Sequence, residues 1–179
     1  MTRMIFRISL GIALGAVLGT SARAQVVDEY QLKAAFLYNF AKFVDWPPQA
    51  FKSATDPIAI CIVGKNPFGR NLDQAVNGQV VQGKSFIVRQ VADLQQMGTC
   101  QILFVASSER KRLAAILHEV KTAGVLTVGE SDNFTAEGGI INFRIEDGNV
   151  RLQINAEAAA QQQLHISSKL LSLAEIVRK

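Results

Sequence analysis

The 179-residue chain contains only two histidines and two cysteines, and these stand far apart. No C-x-x-C or H-E-x-x-H spacing gathers ligands for a metal, so neither a metal nor another cofactor is expected. No G-x-S-x-G elbow presents a serine nucleophile and no G-x-G-x-x-G marks a dinucleotide turn. Basic residues form no run interleaved with aromatics, which argues against a nucleic-acid partner. There is no low-complexity linker and no internal repeat, so nothing divides the chain. Long apolar runs are missing too. The run Ile8 to Leu18 falls well short of the roughly 20 residues that a membrane span requires.

That run belongs instead to a secretory signal peptide over residues 1–24. Arg3 and Arg7 supply its positive end, and Ala22-Arg23-Ala24 is a small-x-small cleavage site. Cleavage between Ala24 and Gln25 is expected, with an uncleaved membrane anchor as the alternative. No cysteine follows the run to carry a lipid. The expected location is therefore the periplasm, with residues 25–179 as a single domain. The full chain has 19 basic and 15 acidic residues, but three of the arginines lie in the leader, leaving 16 against 15. The basic balance is partly a property of the leader.

The stretch EYQLKAAFLYNFAKFVDWPP, Glu29 to Pro48, reads as one amphipathic helix. Leu32, Phe36, Leu37, Phe40, Phe43 and Val44 gather on a wide arc at helical spacing, and Lys33 alone interrupts it. Trp46-Pro47-Pro48 ends the helix. Next comes IAICIV, Ile58 to Val63, an unbroken apolar run of strand length suited to burial on both faces. Strands are also predicted at Lys84 to Val91, Gln101 to Ala106 and Val125 to Gly129. Between them lie a helix through Leu72 and Val76 and another that buries Leu113, Ile116, Leu117 and Val120, with Ser107 or Ser108 as its cap. This alternation predicts an α/β fold with a mostly parallel sheet. Asp147-Gly148 then joins two strand-like runs as a hairpin, because both residues tolerate positive φ, so an antiparallel pair closes the sheet. Ala156 to Gln163 and Ser168 to Val177 are expected as closing helices.

Four residues are candidates for ligand binding at the carboxyl end of such a sheet. Gly64 and Arg70 belong to GKNPFGRN, which sits where a phosphate loop would but lacks the terminal Gly-Lys-Ser/Thr. A plain strand-to-helix turn is the simpler reading. Glu130 and Asp132 follow the fourth strand and could in principle do acid–base work, although surface loop and cap are the simpler roles. No catalytic residue is assigned and an enzyme is not expected. Cys61 and Cys100 are expected to pair in an oxidising compartment, since a strand order of 2-1-3 makes their strands neighbours. The bridge is read as structural, with a redox switch as the alternative.

Glu29 to Pro48 resembles the opening signature of the YfiR family of small exported bacterial proteins. LTVGESDNFTAEGGIINFRIEDGNVRLQIN, Leu126 to Asn155, and HISSKLLSLAEIV, His165 to Val177, are similar to that family as well. The resemblance implies a compact, Rossmann-like, three-layer domain. It also implies a periplasmic regulator that binds and represses the periplasmic sensor domain of an inner-membrane diguanylate cyclase, lowering cyclic-di-GMP signalling and biofilm formation. An outer-membrane lipoprotein that relieves repression, and a homodimer, are further expectations. The spacing of Cys61 and Cys100 resembles that of a family disulfide, whereas a second, more C-terminal bridge of the family has no counterpart here. The alternative reading is a periplasmic small-molecule-binding sensor module.

Overall fold

The computed structural model describes residues 21–96, 98–121 and 124–178; residues 1–20 of the expected signal peptide lie outside the described residues. In chain order the elements are α1 (Ser21–Phe43), β1 (Val44–Asp45), β2 (Ile58–Val63), α2 (Asn71–Val76), β3 (Phe86–Val91), β4 (Ile102–Val105), α3 (Leu113–Glu119), β5 (Leu126–Gly129), β6 (Ile141–Glu146), β7 (Asn149–Asn155), α4 (Ala156–Gln161), β8 (His165–Ile166), α5 (Ser168–Leu171) and β9 (Ala174–Val177).

A strand that is apolar at every position needs cover on both faces, and β2, β4 and β5 are buried throughout. They lie inside a seven-stranded sheet ordered β3-β2-β4-β5-β6-β7-β9. Neighbours from β3 to β6 are parallel, β6 and β7 form the antiparallel hairpin, and β9 runs parallel to β7. The first three strands of the sheet thus take the expected 2-1-3 order. Asp147 and Gly148 sit at φ 50° and 74° in the hairpin turn.

Alternation along each strand divides the apolar residues between two faces. Ile58, Ile60, Ile62, Phe104 and Val128 pack with Leu37, Phe40 and Ala41 of α1 and Leu72 of α2. Cys61, Val63, Leu103 and Val105 pack on the opposite face with Leu113, Ile116 and Leu117 of α3 and with Phe134. Helix, sheet and helix make three layers.

Four local expectations are corrected. α1 ends at Phe43, before Trp46, because Val44-Asp45 turns into β1 and pairs antiparallel with β8; the Trp46 indole donates to the Gln101 carbonyl at 3.1 Å. Its buried stripe is also rotated from the expected arc: Leu32 is 45% exposed while Lys33, Ala34 and Ala41 are buried. Ser107–Arg112 is a 3-10 turn without a side-chain cap, and the Ser108 hydroxyl instead accepts from the Lys65 backbone N–H at 2.9 Å. Finally, the closing helix stops at Leu171 and the chain continues as β9, because the free edge of β7 offers backbone partners that a helix could not use.

Phe134 is fully buried between Gly129 and Gly139, and a Cβ on either glycine would overlap its ring. Gly129→Ala is therefore expected to cost about 1–3 kcal/mol by overpacking. A urea midpoint equal to that of the unmodified protein would show that the ring has room to move.

Candidate functional site

Glu130 follows β5 at the carboxyl end of the parallel strands, beside Ser107 just past the end of β4. α1, packed on one face of the sheet, brings the buried Lys33 to Glu130. A charge on a buried helix face is tolerated only with a counter-charge in reach, and here it has two. The Lys33 Nζ lies 2.8 Å from Glu130 Oε2 and is also paired with Glu29 one turn earlier on the helix. The Lys33 and Glu130 side chains are only 3% and 6% exposed. The Glu130 carboxylate also accepts from the Tyr30 hydroxyl at 3.2 Å and, more loosely, from the Ser107 backbone N–H at 3.4 Å. Lys33 also stands 4.7 Å from the centre of the Tyr30 ring and 5.7 Å from that of Phe143. The Tyr30 phenol is pushed well above its ordinary value, first by burial and then by the Glu130 charge and hydrogen bond.

Above this network opens a cleft of about 360 Å³ lined by Tyr30, Lys33, Glu130, Asp132, Asn142 and Arg144, among others. The Asn142 amide donates to the Ser131 carbonyl at 3.0 Å, and its Oδ1 has no partner among the described residues.

Of the four ligand-binding candidates, Glu130 and Asp132 share this cleft. Their environments differ: Glu130 is buried against a cation and hydrogen-bond donors, while Asp132 is exposed. Gly64 is a tight turn, with φ +90° and the space of its missing Cβ taken by Ser108 and Glu109; its carbonyl accepts from the Gln90 amide at 2.6 Å. Arg70 lines a separate groove with Asp73, Gln74 and Gln79. Tyr30 and Lys33 were missed as site residues. The signal was present in Lys33 as the one charge on an apolar arc, which demands a buried acid somewhere else in the chain.

Cys61 in β2 and Cys100 just before β4 are joined as a disulfide, with both residues buried. The expected cleavage point, Ala24 to Gln25, falls at the start of α1. Among the described residues no group of three or more His, Cys, Asp or Glu could hold a metal ion, and no helix is long and apolar enough to cross a membrane.

The chain is similar to a solved structure described as a conserved domain protein from Vibrio cholerae O1 biovar El Tor str. N16961. The TM-score is 0.53 at 12% identity, covering 86% of this chain and 60% of that one. This likeness is one of fold. The chain thus spans less than two thirds of the length of that structure. No curated protein matches the sequence. A family model does match, over residues 30–175, from Tyr30 of the buried network through Glu175 of β9. With nearly the whole described fold inside the match, the chain belongs to the YfiR/HmsC-like family.

Proposed function

We propose that this protein binds the periplasmic sensor domain of an inner-membrane diguanylate cyclase and represses it, lowering cyclic-di-GMP. The observation that carries the reading is the family match over residues 30–175, which supports a periplasmic regulator of diguanylate cyclases in general. The site is compatible with a binding role. Glu130, the most buried carboxylate of the cleft, is engaged by Lys33, Tyr30 and Ser107 within the fold. Repression from outside the inner membrane needs no chemistry. It needs only that the domain bind the inactive conformation of the cyclase more tightly than the active one, and about a 100-fold preference, near 3 kcal/mol, is ample.

The test is genetic. Deleting the gene is expected to raise cellular cyclic-di-GMP and biofilm formation, and deleting the target cyclase as well is expected to cancel the rise. Unchanged cyclic-di-GMP in the single deletion, with the cyclase expressed, would refute the reading.

A further inference from the structure

The sheet has two edges, β3 and β9. An edge strand carries a row of outward N–H and C=O groups, which proteins blunt with charged or polar side chains, proline or bulges. β3 follows that practice, since its exposed residues are Arg89 and Gln90. β9 does so less. Ile176 is 40% exposed, and Leu173 at its entrance is 65% exposed.

Beside β9 runs a groove of about 450 Å³ whose lining includes Arg144, Arg151, Ser172, Leu173, Ala174 and Glu175. Arg144 and Arg151 are register partners across the β6–β7 hairpin, so their side chains leave the same face of the sheet, where like charges directly opposite repel. Glu146 lies 3.4 Å from Arg144, and Glu175 accepts from the Gln153 amide at 3.3 Å. The Arg151 side chain has neither an ion pair nor a hydrogen bond among the described residues. The groove therefore presents an unanswered guanidinium, an exposed leucine and an open backbone edge, side by side.

We infer that β9 is a docking edge for an extended segment of the cyclase's periplasmic domain, added as an eighth strand, with a carboxylate on Arg151 and an apolar side chain on Leu173. This inference rests on the function proposed above. Main-chain hydrogen bonds along an edge supply affinity without sequence preference, and the flanking side chains supply the specificity. A second copy of the chain fits the charges less well. Its β9 offers one carboxylate, Glu175, already held by Gln153, and it would bring a further pair of arginines to the same groove. A foreign strand with a free carboxylate complements what is there.

The experiment measures affinity between the purified protein and the periplasmic domain of the cyclase identified by the double deletion. Arg151→Glu and Leu173→Asp change exposed residues, and each is expected to weaken binding at least about tenfold with the melting temperature retained. Arg89→Glu, the same charge change on the opposite edge, is expected to leave affinity unchanged. Equal affinity for Arg151→Glu, Leu173→Asp and the unmodified protein would overturn the edge assignment alone. Failure of the unmodified protein to bind would overturn the proposed function, and the edge assignment with it. An unmodified protein that is a dimer in solution, and is made monomeric by these two variants, would name a second copy as the occupant and overturn the inference.

Discussion

Replacing Lys33 with Met is expected to destabilise the protein by about 3–5 kcal/mol, because it strands the buried Glu130 carboxylate without its cation. The Tyr30 hydroxyl and Ser107 N–H remain, but they are neutral donors and one of them is long. Methionine has nearly the helix propensity of lysine and is an unbranched chain that can lie against the same Tyr30 and Phe143 rings, so the loss reports the charge and not the helix. At roughly 2–4 °C per kcal/mol for a chain of this size, the melting temperature should fall by about 6–20 °C. Glu130→Leu is expected to cost less, since Lys33 keeps Glu29 as a partner. The double variant, Lys33→Met with Glu130→Leu, should recover most of what Lys33→Met loses, as buried ion pairs commonly break even against apolar residues of similar volume. Urea denaturation of the four proteins checks all three statements. A Lys33→Met midpoint equal to that of the unmodified protein would show that Glu130 reaches water once the lysine is gone.

Removing the Cys61–Cys100 bridge, by changing both cysteines to Ala, is expected to cost about 4 kcal/mol. The sequence separation is 39 residues, and the chain-entropy relation gives that figure for the loop entropy returned to the unfolded state. Both residues lie in the apolar cluster with Leu103 and Leu117, so the lost sulfur atoms add a packing term of the same sign. Thiol titration of unfolded, unreduced protein should find almost no free thiol, and reductant added to the folded protein should act slowly on sulfurs that water does not reach. An unchanged urea midpoint in the double-alanine protein would remove the structural role. Rapid reduction of the folded protein would point to the redox switch instead.

How far the fold can be read from the residues depends on how local the deciding forces are. β2 and β4 were legible because a short apolar run with turn signals at its ends admits few alternatives, and the hairpin because Asp147-Gly148 fixes its own turn. LLSLAEIV was misread because its apolar spacing suits a helix and its Ile-Val end suits a strand. The choice falls to the unpaired edge of β7, whose Leu152 and Ile154 pair with Ala174 and Ile176, and no window of sequence contains both. The buried network failed for the same reason. Lys33 and Glu130 are 97 residues apart, and each was conspicuous alone, one as a flaw in an apolar arc and the other as an acid at a sheet end. Arg70 was singled out from a partial phosphate-loop match, which carries no information on where an exposed side chain will point.

The short pairing of β1 with β8 governs when the fold can be completed. Val44 meets Ile166 and Asp45 meets His165, and the Ser167 N–H donates to the Phe43 carbonyl at 2.8 Å, so the end of α1 is fastened by residues about 120 positions later in the chain. The aromatic helix is made first and its fastening last. Between the two events Phe36, Phe40 and Phe43 have only part of their final cover. Contacts of such long range are formed late, because loop closure must be met before they give any return. A chain emerging from its N-terminus must therefore keep this helix from sticking to other chains until residues 165–167 arrive. Truncation after Leu164 should consequently yield aggregation and not a smaller stable domain.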